Sequence, residues 1–521
     1  MYLILTASAD TYITDKVIDN DYRAMDANVG YAGTIDIFKL FDESIWISGS
    51  TRITGSVSEI SRALLKFDWD QVKTLTGSSL DLNSSKFHAR LKMFDIMGGQ
   101  ATPSYFYLIA YPLSKSFSEG IGRDVASFGD LDVANFITAS VTNSTVSAWN
   151  LSGANRGGLL GDTDIDYISS GTSASPGFSS YIDFGSSQYF KKGNEDLDIN
   201  ITTYASAAIA GQLPDCGLRL SFSGSNDTDN KTRFVKRFAS RHSSNPLKVP
   251  QLHLMWDDSV EDNNQDFVFD SSGSLFLRNY VRGVPTNLVS GTAGSAISGD
   301  DSIILQLQIQ NYKKFITGSQ HKAGTDSTAI AGLYSASFAM STFDATTVNS
   351  SNETFVDLIN KSGSITFDAY WISTDESVGY HTGSLEIFPS RKTAFKRQPS
   401  DLLFRFTNLE TQYSQDDDIF LSVFVEDFSE DEKVYKVPYS KESISLSKVY
   451  YRIKEASTGT IMVPFDSVRE STKLSADGSG LSFYFKMSSL PKGYVYYFDL
   501  LVKDYAETRV YNEASGKFKV I

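Results

Sequence analysis

The sequence predicts an all-β chain of tandem β-sandwiches, and three observations predict it. The stretch Asp301–Tyr312, DSIILQLQIQNY, sets Ile303, Leu305, Leu307 and Ile309 on one side and Gln306, Gln308 and Gln310 on the other. That is the period of a strand with one dry face and one wet face. The same two-residue beat recurs along the chain. Finally, 27 Tyr and 35 Phe in a composition that is 41% hydrophobic suit pleated, half-buried surfaces joined by frequent turns. At 521 residues the chain is too long for one core and predicts about three domains.

In order, strands are expected at Thr34–Leu40, Ser61–Asp68, Phe87–Phe94, Tyr105–Tyr111, Leu197–Thr203, Gly217–Phe222 and Gln251–Trp256. Ala89, Leu91 and Met93 oppose Arg90 and Lys92, and Leu218, Leu220 and Phe222 oppose Arg219 and Ser221. Short helices are expected near Asp70–Leu75 and Asp132–Ile137. The Gly/Ser-rich stretch Ser152–Ser180 reads as a functional or contact loop rather than a buried element. Residues 1–258 form the first domain, and the acidic, amide-rich DDSVEDNNQ (Asp257–Gln265) reads as a linker.

A second sandwich over 266–390 has strands at Asp266–Phe269, Ser274–Val281, Ser302–Ile309, Leu333–Met340 and Ser364–Ile372. A polar junction at Ser390–Ser400 follows. The third domain, 401–521, carries strands at Leu402–Phe406, Ile419–Val425, Val449–Ile453, Leu481–Met487, Tyr494–Lys503 and Lys517–Ile521, with a tight-turn signal at Asp477-Gly478. So many short strands in so short a segment suggest an immunoglobulin-like sandwich.

Net charge is −15 and the pI is near 4.9. Such a surface repels phosphate backbones, so no nucleic-acid partner is expected. The basic run Lys231–Arg241, KTRFVKRFASR, reads as a strand with outward cations. Cys216 is the single cysteine, so no internal disulfide forms, and it reads as a small buried thiol. MYLILTASAD lacks a basic region and is not read as a signal peptide; no apolar run reaches the length of a membrane span.

An ordered set of short pieces covers roughly the first half of the chain. They are Asp10-Thr11-Tyr12-Ile13, Asn28-Val29-Gly30, Ser61-Arg62-Ala63-Leu64-Leu65-Lys66-Phe67-Asp68, Ser118-Glu119-Gly120, Leu197-Asp198-Ile199-Asn200-Ile201-Thr202, Cys216-Gly217-Leu218, Ala239-Ser240-Arg241 and Pro250-Gln251-Leu252. In this order they resemble the DNRLRE-type β-sandwich module, with Phe117 where that family often has Trp. The resemblance implies a jelly-roll-like domain related to carbohydrate-binding modules, of a kind present in adhesive surface proteins and in structural proteins of tailed bacteriophages. It implies a virion protein, assembled in the host cytoplasm, in the tail, baseplate or neck. Its partners would be further copies of itself and other virion proteins. A glycan-binding adhesin or capsid decoration is the alternative.

The residues themselves offer few sites. None of His88, His242, His253, His321 and His381 sits in a metal-ligand spacing, and His253 alternates with Leu252 and Leu254 as an outward strand residue. Asp162, Asp164 and Asp166 form a D-x-D-x-D run that could supply oxygen ligands to Ca²⁺, but Tyr167 stands where an EF-hand has Gly. Arg391, Lys392, Lys396 and Arg397 could dock on an acidic partner. Tyr105, Tyr107, Tyr111, Tyr494 and Tyr496 could stack on sugar rings. No G-x-S-x-G elbow or other catalytic motif is present, so neither enzyme activity nor a cofactor is expected.

Overall fold

The computed structural model describes residues 1–521 except 20–21, 49–50, 78, 100, 173–174, 176–177, 283, 292–293, 323–328, 390–401, 429–442 and 504–507. The protein is all-β, with 47% of residues in strands and 7% in helices. It forms two compact units. One comprises Leu3–Lys73 and His88–Met255; the other comprises Met1–Tyr2, Thr74–Phe87 and Trp256–Ile521.

In the N-terminal unit a four-stranded sheet runs Tyr2–Thr6, Gln251–Met255, His88–Met93, Leu197–Asn200. A seven-stranded sheet runs Ser186–Phe190, Phe106–Pro112, Leu218–Phe222, Thr51–Lys66, Thr34–Ser48, Arg233–Ala239, with Ala9–Thr14 also on Thr51–Lys66. Alternation decides the faces. Ala63, Leu65, Leu220, Phe222, Leu108 and Ala110 are all buried on one face. The other face of Ser61–Asp68 is covered as well, since Arg62 and Leu64 are buried too. Leu113, Phe117, Ala134, Ala139, Trp149, Ala154 and Cys216 pack with Ile13 and Leu64 in one cluster, so the excursion after Pro112 covers that face. Part of Ser152–Ser180 is therefore structural: Gly157–Leu159 and Tyr167–Gly171 pair as strands, and Ile165, Asp166 and Ile168 are buried.

The helix expected near Asp70 is present as Asp70–Lys73. The one expected at Asp132–Ile137 is absent. There Asn135 Oδ1 accepts the N–H groups of Ile137 and Thr138 while its Nδ2 donates to Asp130 O, a local alternative to helical bonding. The strand reading of Leu197–Thr203 overran: the strand ends at Asn200 and the helix Thr202–Ile209 begins, its Ala-rich body ending before Gly211 at φ +72°.

In the second unit one antiparallel sheet runs Ser272–Arg278, Ala329–Ala339, Tyr312–Lys322, Ile303–Ile309, Ile365–Ile372, Gly379–Ile387. Ile303, Leu305 and Leu307 enter its core as their alternation requires, with Ile309 packed against it. The expected strand Asp266–Phe269 is a single bridge, Val268 to Phe388, that delivers Phe267 and Phe269 to the same core. Helix Phe355–Ser362 adds Phe355; the Asp357 carboxylate accepts the Thr354 N–H at its start, and Gly363 ends it at φ +79°.

The segment after 401 is a sandwich. One sheet runs Leu402–Phe406, Asp418–Asp427, Gly480–Lys486, Ser475–Asp477, and the other runs Gln412–Tyr413, Phe518–Val520, Val495–Lys503, Val449–Glu455, Ile461–Val463. Between them lies an aromatic core: Phe498 sits 5.4 Å from Phe406, 5.5 Å from Phe483 and 5.3 Å from Phe518. Gln412–Tyr413 pairs parallel with the final strand, an exception in an otherwise antiparallel pair of sheets. The Asp477-Gly478 turn is where the sequence put it, joining Asp477 to Gly480.

The linker reading of Asp257–Gln265 needs correction. Ala476 N donates to Val260 O, Asp262 N donates to Ala476 O, and Val260 is buried. The segment is zipped to the edge of a sheet because its backbone, though flanked by polar side chains, finds unpaired partners there.

Candidate binding surfaces

Four of the pieces that carry the DNRLRE resemblance meet in one polar knot of the N-terminal unit. Arg241 donates through Nε to Glu119 Oε1 at 2.6 Å and through a terminal nitrogen to Oε2 at 2.8 Å. Its backbone N–H donates to Asp10 Oδ2 at 2.6 Å, and Asp10 N donates to Glu119 Oε1 at 2.9 Å. Asn28 Nδ2 donates to Glu119 O and Ala134 O, while Asn28 Oδ1 accepts from Gly122 N. Neither Asn28 nor Gly30 has a positive φ. Gly30 is needed for close approach instead: a Cβ there would lie 2.1 Å from Glu119 O.

Electrostatics within the knot are uneven. Burial pushes the Asp10 carboxyl up to about 7, with the Arg241 N–H opposing and the Glu119 charge adding to the rise. Among the described residues Asp10 Oδ1 has no hydrogen-bond partner. His242 stacks on Tyr31 with centroids 4.2 Å apart, and its Nε2 lies 3.5 Å from Glu119 Oε1. Nearly every donor and acceptor is consumed in tying the strand Ala9–Thr14 to two loops. This is a fastening, not an open site.

The basic run is a second fastening. A strand runs over Arg233–Ala239, but four of the five cations do not stand free; Lys231 alone is exposed ahead of the strand. Arg233 pairs with Asp229, Lys236 with Asp95, Arg237 with Asp36 and Arg241 with Glu119. Lys236 is fully buried and also donates to Gly193 O and Glu195 O. His253, expected to point outward, is buried and bonded to Gln251 Oε1 at 2.9 Å, and burial holds its imidazole well below its ordinary range. All five residues of its strand are buried, so alternation there separates two covered faces.

Asp162, Asp164 and Asp166 do not converge. Asp166 is buried and accepts the N–H groups of Asn150, Leu151 and Arg156 at 2.6–3.0 Å, whereas Asp162 accepts that of Leu159. Among the described residues no group of three or more His, Cys, Asp or Glu side chains is placed to hold a metal ion. Arg391, Lys392, Lys396 and Arg397 lie outside the described residues. Cys216 is buried with Ser116 Oγ at 3.4 Å, and burial pushes its thiol up.

The tyrosines divide. Tyr496 is buried and donates to Pro491 O at 2.7 Å, and Tyr494 is half-buried. Tyr107 is exposed and Tyr111 half-buried on the outer face of Phe106–Pro112, and Tyr105, just before that strand, is exposed as well. Sequence reasoning missed what stands beside them. Tyr189, directly opposite Tyr107 on the edge strand Ser186–Phe190, has its ring 4.8 Å away, and Tyr167 lies 5.0 Å from Tyr111. Behind Tyr167, at 4.6 Å, is the guanidinium of Arg219, buried and bonded to Asn155. Burial and the neighbouring Arg62 charge lower its pKa to about 9. Only pairing register, invisible without the fold, could have joined Tyr107 to Tyr189.

An open apolar cavity of about 420 Å³ also occurs in this unit, lined by Lys16, Phe38, Leu40, Ala101, Phe234 and Val235. None of these described lining residues is acidic. No helix among the described residues is long and apolar enough to cross a membrane.

No protein-family model and no curated protein sequence matches the chain. Among solved structures it is similar to the D00-D0 domain of intimin, at 11% identity and a TM-score of 0.13, over 50% of this chain and 96% of that one. It is also similar to the BSP domain of a biofilm-associated protein, at 9% identity and a TM-score of 0.16, over 95% of this chain and 68% of that one. A third neighbour, from Corynebacterium diphtheriae and described as membrane-anchored, shares 9% identity with a TM-score of 0.14, over 94% and 96% of the two chains. TM-scores this low carry neither the role nor the fold of those proteins over to this chain.

Proposed function

We propose that this chain is a non-enzymatic structural component of a tailed-phage virion, at a peripheral position in the tail, baseplate or neck, acting through protein–protein contacts. One observation carries the reading. Asp10, Asn28, Gly30, Glu119 and Arg241 lie far apart in sequence, were singled out by the DNRLRE resemblance, and close into a single knot. A module so fastened is a rigid body, suited to presenting loops and sheet edges to identical copies and to neighbouring virion proteins. The basic stretch Arg391–Arg397 is a docking element in this reading.

Electron microscopy of the particle, with the chain located by density, tests it. A defined position with symmetric copies supports the proposal, and absence from purified particles overturns it. A second reading, a glycan-binding adhesin or decoration module, is favoured by the tyrosine row on Phe106–Pro112 and Ser186–Phe190.

A further inference from the structure

We infer that the outer face of the strands Phe106–Pro112 and Ser186–Phe190 is a binding ledge for an uncharged oligosaccharide, with Tyr107 and Tyr189 as its stacking platform. The inference rests on the glycan reading above and gives it a place and a ligand class.

Four observations converge. First, the rings are exposed and already arranged. Tyr107 and Tyr189 are 47% and 45% accessible, and cross-strand pairing fixes them 4.8 Å apart. A ligand laid on them pays little ordering entropy, because tyrosine has few rotatable bonds and the strands beneath are paired.

Second, the ledge has length. Residues 107, 109 and 111 share one face of the strand, so from Tyr107 to Tyr111 it runs roughly 13 Å at the usual rise of a strand. Tyr105 opens it at 65% exposure and φ +58°, a conformation that bulky residues rarely adopt. The strain holds a large ring in water, where it gains no packing, and such outliers gather at working surfaces. Tyr111 and Tyr167 end the row against the wall that covers Arg219.

Third, the charge matches. FYLIAYP and SSQYF contain no Asp, Glu, Lys or Arg, in a chain that is 21% charged. Arg219 is spent beneath Tyr167 and out of reach of solvent. A phosphate backbone or polyanionic sugar finds no cation on the two strands, and the exposed Lys191 and Lys192 come only after Phe190. A neutral sugar finds flat apolar area with hydroxyls at its rim.

Fourth, polar groups are to spare. None of the hydroxyls of Tyr105, Tyr107, Tyr181 and Tyr189 bonds another group among the described residues, and Ser187 stands exposed between the rings. Asp183 lies near Tyr111, where its charge helps raise that phenol's pKa.

The test uses the full chain and a printed panel of neutral cello-, manno- and galacto-oligosaccharides beside sialylated and uronic-acid glycans. The wild-type protein should bind neutral members. Tyr107→Ala and Tyr189→Ala should each weaken that binding roughly three- to tenfold, and the double variant more. Tyr107→Phe, which keeps the ring, should retain most of it. Circular dichroism and melting temperature, unchanged at these exposed positions, separate lost binding from lost fold. Neutral-glycan binding that survives the double variant overturns the ledge while leaving the glycan reading intact. Binding to charged glycans only overturns the ligand class. Wild-type binding to nothing on the panel overturns the ledge and the glycan reading together. Tight association of the wild-type with a second copy that the double variant abolishes assigns the ledge to protein contact and overturns the inference.

Discussion

Arg241 grips both carboxylate oxygens of Glu119, at 2.6 and 2.8 Å, across 122 residues of sequence. The pair is mostly shielded from water, with side-chain exposures of 32% and 14%. Replacing Glu119 by Ala leaves the guanidinium and the Asp10 N–H without their acceptor. The loss is expected to be about 2–4 kcal/mol, since hydrogen bonds to charged groups and broken, partly buried pairs fall in that range. Urea denaturation of the wild-type and Glu119→Ala proteins measures it, and Glu119→Gln should recover part of the loss.

Gly30→Ala should damage the same knot by a different route. The added methyl would meet Glu119 O at 2.1 Å and Gly120 O at 2.7 Å, both backbone atoms that cannot swing aside. Overpacking of this kind costs about 1–3 kcal/mol or more. Gly33→Ala, with its nearest neighbour at 4.0 Å, is the control and should be close to neutral.

Asp10 gives a pH dependence of uncommon sign. Burial raises its folded-state pKa to about 7, above the ordinary carboxyl value of 3.8. The folded protein therefore holds this proton over a window in which the unfolded chain has released it. Below about pH 4 both states are protonated and the group is neutral to stability. Between pH 4 and 7 a penalty on the fold builds up, and above 7 it is fully present. Asp10→Asn keeps an acceptor for the Arg241 N–H and has no charge to bury. Its melting temperature should exceed that of the wild-type at pH 8, and the gap should close by pH 4.

Asp229 works in the opposite direction. Hydrogen bonds from Arg233 and Lys39 hold its carboxyl well below the usual range. Its stabilising effect is present above pH 4 and is lost as pH falls toward the folded-state value. The Lys39 side chain is 1% exposed, with its ammonium 2.8 Å from Asp229 Oδ1. Asp229→Ala should cost about 3 kcal/mol by stranding that charge. Lys39→Met together with Asp229→Ala should restore part of the loss in a double-mutant cycle, the remainder reflecting Arg233, which also loses Asp229.

Phe498→Ala should be the most damaging single change in the C-terminal sandwich. The ring contacts Phe406, Phe483, Phe485, Tyr451 and Phe518, and its removal should cost about 3–5 kcal/mol, read by calorimetry.

How much of this was legible depended on whether the signal was local. The strand Ile303–Ile309 and the turn at Gly478 announced themselves, because alternation and turn chemistry are properties of neighbours in sequence. Tyr312–Lys322 did not: YKKFITGSQHK alternates weakly since one part pairs with Ile303–Ile309 and the rest with Ala329–Ala339. His253 was placed in water because alternation says which residues share a face, not whether another element covers it. The capping signal Thr354-x-x-Asp357 was readable but sits before only eight helical residues. The Tyr107–Tyr189 pair depended on register between strands some 80 residues apart, and no local rule carries that.

The clasp at Val260–Gln265 matters to anyone wishing to dissect the chain. Besides bonding Ala476, this stretch reaches Ser443 O through Gln265, and Asp262 accepts the Phe276 N–H. A cloning boundary set at residue 266, where polarity invites it, would strip Ser475–Asp477 of its neighbour and leave a raw hydrogen-bonding margin in solvent, a known route to sticky protein. Fragments meant to stay dispersed should begin upstream of Val260.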